Sequence, residues 1–412
     1  MFKLKIDLVW NYISLVIMAV SGLLINTVIA AFYGSDALGI FNETYAWYMI
    51  LSQLSVWGIH MAVVKYVPQT EDEKSKNSIL WSGLVITVCI SVLITSLSES
   101  IVLFLPNLQW QKSMVIAFSG LIFFSLNKVL LSYLNAIYKM VSYAVFSSIR
   151  YILLGSIVVV LSQNRIDPDM LTMTFPLTEI FVLILVLVYF FASVKPEIHF
   201  DKKDAKELLR FGTSILPSYM VIELNTKVDV VCLGLLLTDI SQIGIYSFAI
   251  LFTDGFYNLY IVLRKIINPH LSKANADGNL SEKIILINGS SRKYFYLCGG
   301  VGYVLLAAAY YIVCLIFMGN EYKLGLIYIL IISFAIVING KSIVYGDLLG
   351  QVGLPLEESL LNIITVISNA ILNVVLILLF GTIGAAIATA ISYFLFALYM
   401  RIRVKKHLDI II

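Results

Sequence analysis

Twelve stretches of this chain are apolar for long enough to cross a lipid bilayer as a helix, at approximately 8–32, 41–66, 79–97, 113–137, 141–163, 170–194, 211–237, 242–266, 292–318, 324–349, 356–379 and 382–402. About 20 helical residues span the roughly 30 Å hydrocarbon core, and within that core a backbone can satisfy its polar groups only by coiling on itself or closing a barrel. Hydrophobic residues make up 60% of the 412, charged residues only 13%, and the mean hydropathy is +0.93. One soluble core could not hide so much apolar surface. The expected class is an all-α polytopic membrane protein.

Orientation follows from the cations, because loops rich in Lys and Arg stay in the cytoplasm. Of 28 Lys and Arg, 21 fall in loops on the N-terminal side, from Lys3 and Lys5 through Lys139 and the Arg264–Lys293 loop to Arg401–Lys406. Three (Lys112, Arg165, Lys323) fall on the other side. Both termini are therefore expected in the cytoplasm, and the first segment is too long for a signal-peptide core and reads as a retained helix. The four cysteines, Cys89, Cys232, Cys298 and Cys314, all lie in spans without metal spacing and read as packing residues.

The stretch 195–210, "KPEIHFDKKDAKELLR", is the most charged in the chain and divides it. It reads as a cytoplasmic amphipathic connector lying on the membrane surface, or equally as a solvated linker. The expected organisation is an N-terminal six-helix lobe over 1–194 and a C-terminal six-helix lobe over 211–412. "LGIFNETYAW" at 38–47 resembles "IGIYSFAILF" at 243–252, which fits parallel repeats with a site between them.

Catalytic motifs are scarce. "NGKS" at 339–342 has Ala335 where a phosphate loop needs glycine and sits inside a span. No HExxH, GxSxG or GxGxxG occurs, and the outer loops are too short to hold an acceptor. What remains is charge inside the spans, which costs roughly 2.5 to 3.5 kcal/mol per residue at the bilayer centre and normally faces a cavity or a partner. The cations are Lys128, Arg150, Lys227 and Lys341; the acids are Glu43, Glu179, Glu223, Asp229, Asp254 and Asp347.

Helical spacing groups several of them. Ser125, Lys128, Ser132 and Asn135 form one stripe; Tyr143, Ser147 and Arg150 a second; Tyr246, Asp254 and Tyr257 a third. Glu223 and Lys227 are four apart and can pair, and Pro217 upstream can bend that helix into a mobile cavity wall. Structural networks between helices compete with a hydrated cavity as the account of each stripe.

Three segments carry a resemblance. "LLRFGTSILPSYMVIELNTKVDVVCLGLLLTDISQIGIYSFAILF" (208–252), "NVVLILLFGTIGAAIATAISY" (373–393) and "YGSDALGIFN" (33–42) are similar to bacterial O-antigen and polysaccharide flippases, Wzx-like members of the superfamily that also holds MATE exporters and the lipid II flippase. The resemblance implies a MATE-like fold in the bacterial inner membrane. It further implies ion-coupled alternating access that flips an undecaprenyl-pyrophosphate-linked oligosaccharide, with membrane lipids and polysaccharide polymerase machinery as further partners, no nucleic acid, and no cofactor beyond a proton or Na⁺ gradient. Under that reading Arg150 and Lys128 lead as pyrophosphate ligands, with Lys227 and Lys341 behind them. Asp254, Asp229, Glu223 and Glu179 are coupling or gating candidates, and Pro217 is the hinge. An acid-rich cavity would also suit a MATE-type multidrug exporter, the alternative; a polytopic glycosyltransferase or polymerase is the third reading.

Overall fold

The computed structural model describes the backbone of residues 2–104, 110–194 and 196–410, and the side chains of these except 2–9, 11–12 and 288–295. Lys3, Lys5, Arg292 and Lys293, which contribute to the orientation argument, and Lys195 at the start of the charged connector lie outside the described side chains. Thirteen α-helices follow in order. They are α1 (Phe2–Val56), α2 (Ile59–Tyr66), α3 (Glu73–Phe104), α4 (Gln111–Phe118), α5 (Leu121–Ala136), α6 (Met140–Gln163) and α7 (Thr174–Tyr189). After a π-helical segment, Phe190–Val194, come α8 (Lys202–Leu236), α9 (Ile240–Ala276), α10 (Leu280–Phe317), α11 (Gly325–Val344), α12 (Leu348–Gln351) and α13 (Pro355–Leu408). No strand is present among the described residues.

α13 contains two expected spans, and α1 contains one with most of a second, 41–66, whose remainder is α2. α1 breaks at Gly34 (φ 84°, ψ −173°) and α13 at Gly381 (φ 59°, ψ −139°). Residues with a Cβ rarely adopt such dihedrals, so glycine allows the chain to turn here within a loop of minimal length. Counting the halves on either side, pairing α4 with α5 and including α8, the twelve expected spans all have helical counterparts. Many large apolar side chains on them, such as Leu378, Leu379 and Phe380, face outward, as lipid contact requires.

The charged stretch behaves differently from a separate surface helix. Residues 196–201 have no regular structure, and from Lys202 the chain enters α8 and runs without interruption into the seventh span. Two contacts to α3 hold this entry: the Ser78 hydroxyl donates to Asp204 at 2.5 Å, and the Ser82 side chain exchanges hydrogen bonds with the Asp201 backbone at 3.1 Å. Leu208 is buried. These polar partners on α3 are what an isolated reading of 195–210 lacks.

The chain divides into two compact units, Met1–Glu223 and Leu224–Ile412, with the division inside α8. In the first unit α1 packs on α6, and α5 sits among α2, α3 and α7. In the second, α11 is central, packed by α9, α10 and α13. Its inward side chains Tyr328, Ile329, Ile332, Ala335, Ile336 and Ile343 explain why "NGKS" at its C-terminal end is ordinary helix.

Candidate functional site

In the first unit the intramembrane charges converge on one aromatic ring. Phe124 lies four residues before Lys128 on α5, so helical geometry puts the two on one face. The Lys128 ammonium is 5.5 Å from the Phe124 centroid, and the Arg150 guanidinium, arriving from α6, is 4.4 Å from it. Two cations on one ring gain from its negative face, an attraction that grows as water is excluded.

Arg150 is also ion-paired. Its Nε donates to Glu179 Oε1 on α7 at 2.6 Å and its Nη2 lies 2.5 Å from the same oxygen. Asn127 donates to Oε2 at 2.9 Å and to the Glu179 carbonyl at 2.8 Å. Glu179 is only 2% exposed, whereas the arginine side chain is 21% exposed. The carboxylate thus takes the Nε–Nη2 edge of the guanidinium, and the Nη1 edge is left for another acceptor.

Lys128 has a neutral neighbour. Its ammonium donates to the Gln53 side-chain oxygen at 3.0 Å, and the Gln53 amide donates in turn to Glu223 at 3.2 Å. Among the described residues Lys128 enters no ion pair, so one amide relays between cation and acid. Beneath this group lies a floor of rings. Tyr48 meets Phe124 edge-on at 5.8 Å and stacks on Phe175 at 5.1 Å, and Tyr45 and Phe41 stack on Phe175 at 5.7 and 5.0 Å. Glu43 is fully buried and accepts from the Trp47 indole at 2.9 Å.

Pro217 lies exposed within α8, one turn beyond a tight crossing. Trp57 (φ 52°) and Gly58 (φ 69°) separate α1 from α2, and a Cβ on Gly58 would come within 2.7 Å of the Gly212 carbonyl. The Trp57 indole donates to Thr213 Oγ1 at 2.9 Å. Proline removes the helix hydrogen bond that the Thr213 carbonyl would receive, so the weakest turn of α8 is the one that Trp57 grips.

The second unit holds its own cluster. Asp229 on α8 is buried, accepting from the Tyr246 hydroxyl at 2.9 Å and from the Val230 amide at 2.9 Å. Asp254 on α9 is exposed, within electrostatic reach of Lys227 and Asp229, and Tyr257 one turn on stacks on Tyr393 at 5.5 Å. Lys227 is half-buried on α8, and Lys341 is half-buried in the last turn of α11. Asp347 pairs with Arg264 at 2.9 Å and accepts from Asn268 at 2.8 Å. Arg264, an inner-loop cation in the sequence analysis, is in fact folded against α11, where its Nε donates to the Ile343 carbonyl at 2.7 Å.

The structure therefore brings Lys128, Arg150, Glu179 and Glu223 together in one unit, and Lys227, Asp229 and Asp254 together in the other. Gln53, Phe124 and Asn127 were not among the residues expected from sequence, and Arg264 was expected only as a loop cation. Gln53, inside the apolar run "LSQLSV", carries a signal that could have found it: an amide in a span needs a partner. Among the described residues no group of three His, Cys, Asp or Glu could hold a metal ion.

Over 191 residues the chain is 25% identical to the probable low-salt glycan biosynthesis flippase Agl15 of Haloferax volcanii, an alignment covering 46% of this chain and only 40% of that relative. The fold superposes on the lipid II flippase MurJ in an inward closed conformation, with a TM-score of 0.79 and 19% identity, over 96% of this chain and 87% of that one. It also superposes on an inward-facing multidrug resistance MATE family transporter of the MOP superfamily, with a TM-score of 0.77 and 12% identity, over 94% and 95% of the two chains. Residues 7–276 match the family described as Polysaccharide biosynthesis protein. That match covers well over half of the sequence: this multi-pass membrane protein, with its MATE- and MurJ-like fold, belongs to the polysaccharide biosynthesis protein family.

Proposed function

We propose that the chain is a flippase carrying an undecaprenyl-pyrophosphate-linked oligosaccharide from the inner to the outer leaflet of the bacterial cytoplasmic membrane, with both termini in the cytoplasm. The observation that carries this reading is the meeting of Arg150 and Lys128 on the Phe124 ring, one bound to Glu179 through a single guanidinium edge and the other donating to the neutral Gln53 amide. A pyrophosphate cannot enter hydrocarbon uncovered, and a guanidinium edge beside an ammonium suits its oxygens. The half-buried ring of Tyr45 offers a surface on which a sugar can stack. Family membership and the name of the archaeal relative support the same substrate class.

The exposed Asp254 beside buried Asp229 favours a second reading, MATE-type export of organic cations, in which those acids bind the cargo. Reconstituted vesicles separate the two. The flippase reading expects a labelled lipid-linked glycan to move between leaflets, and Lys128→Ala to slow it roughly 10- to 100-fold, the worth of a charge-assisted hydrogen bond. Unchanged flipping in Lys128→Ala removes the headgroup assignment. Export of organic cations with no movement of glycan lipid removes the flippase reading itself.

A further inference from the structure

Two cavities in the first unit are lined by successive turns of the same elements. The first, about 330 Å³, is lined by Glu73 and Lys76 of α3, Tyr133 at the end of α5, Lys139 just beyond it, and Ser193 of the π-helical segment. The second, about 350 Å³, lies one helical turn further along those elements, lined by Trp81, Leu84 and Val85 of α3, Leu130 of α5, and Phe190 and Phe191. The first is polar and charged. The second has no polar wall apart from the Trp81 ring, whose indole N–H is buried without a hydrogen-bond partner.

We propose that this pair of cavities is one binding site for an anionic glycerophospholipid of the surrounding bilayer, with the phosphate in the first and an acyl chain in the second.

Charge, polarity and length all match such an occupant. Lys76 is neutralised by Glu73 at 2.6 Å, while Lys139, which donates to the Ser193 carbonyl at 3.3 Å and lies 5.5 Å over the Tyr189 ring, forms no ion pair among the described residues. The pocket therefore carries one uncompensated positive charge, which a phosphodiester balances. The Trp81 N–H sits five residues along α3 from Lys76, roughly 7 to 8 Å at about 1.5 Å per residue. That is the depth at which a phospholipid's headgroup gives way to its acyl chains, and there the lining turns apolar.

From Lys76 to Cys89, the last α3 residue lining the groove, the helix rises roughly 20 Å by the same spacing. This spans a headgroup and one leaflet's half of the roughly 30 Å hydrocarbon core. A polyprenyl carrier tail is far longer than one leaflet, and most of it would lie outside the groove. The site goes beyond the flippase reading and does not depend on it.

The experiment uses the full chain, purified in detergent, stripped of lipid and examined by native mass spectrometry with phosphatidylglycerol, phosphatidylcholine and polyprenyl phosphate as probes. The expected result is one retained phosphatidylglycerol in preference to phosphatidylcholine. Lys139→Gln should lower its occupancy roughly fivefold, the factor that one lysine near a membrane surface contributes, and Val85→Trp should displace the lipid by filling the groove. Cys89 supplies a readout in the folded protein. In a Cys298→Ser background, which removes the other exposed cysteine, phosphatidylglycerol should slow maleimide labelling of Cys89, and Val85→Trp should abolish that protection. Equal retention of both phospholipids, indifference to both substitutions, or displacement of phosphatidylglycerol by polyprenyl phosphate would each overturn the assignment.

Discussion

Glu179 and Arg150 form a largely buried pair whose structural contribution can be measured apart from any role in transport. With Glu179 almost wholly buried, Arg150→Ala leaves a carboxylate without its counter-charge, which costs about 3 kcal/mol or more. Thermal unfolding in detergent should show the loss, and adding Glu179→Gln should restore most of the melting temperature. Transport separates the roles: if the guanidinium also holds the headgroup, the double variant stays inactive although it is folded, and recovery of flipping would reduce Arg150 to a strut. The exposed pair Lys112–Asp167 is the contrasting case. The Lys112 hydrogen bond, with a smaller contribution from the Asp169 amide, holds the Asp167 carboxyl below its ordinary range. Any stability from a depressed acid is present at neutral pH and lost only as pH falls through its lowered folded value, below about pH 4. Because water screens both partners, Lys112→Ala should leave the unfolding temperature at pH 7 unchanged within error.

At the scale of elements, the crossing of the Trp57–Gly58 break with α8 is the most sensitive contact described. A Cβ at Gly212 would collide with the Trp57 carbonyl, a backbone atom that no rotamer change can move. Gly212→Ala should therefore lower stability by about 1 to 3 kcal/mol, as overpacked sites do. Gly34→Ala should cost a similar amount for a different reason: space is open around it, and the penalty lies in its φ of 84°. Intact melting temperatures in both variants would show that the turns relax easily.

The helices themselves were legible in the sequence, because twelve apolar runs admit few alternatives in a bilayer. Their joints were not. Nothing local distinguishes Trp57, held at positive φ by a crossing with residues over 150 positions away, from any other tryptophan in a span. The candidate site divides in the same manner. Lys128 and Arg150 stand out as charges in apolar runs, but the partners that decide their chemistry, Gln53 for one and Asn127 with Glu179 for the other, come from separate helices. Arg264 was placed in a loop because a terminal cation is indistinguishable in one dimension from one folded back onto a neighbouring helix.

For the whole molecule, the proposal with the widest reach is ion coupling. Asp254 is an acid inside a span of the second unit that is nonetheless exposed, and so is well placed to exchange a proton or Na⁺ with water. Dissipating the relevant gradient should stop glycan movement in vesicles, and Asp254→Asn should reproduce the arrest without lowering thermal stability. Insensitivity to ionophores and to the substitution together would remove coupling from this acid. The seventh span also bears on how such a cycle could run. Since α8 supplies residues to both compact units, the covalent chain ties them, and its proline-weakened turn would act as a leaf spring anchored at one end by the Trp57 indole. Loosening that anchor should soften the spring, so elastic stiffness, and with it the tempo of turnover, is adjustable at a tryptophan that touches no cargo.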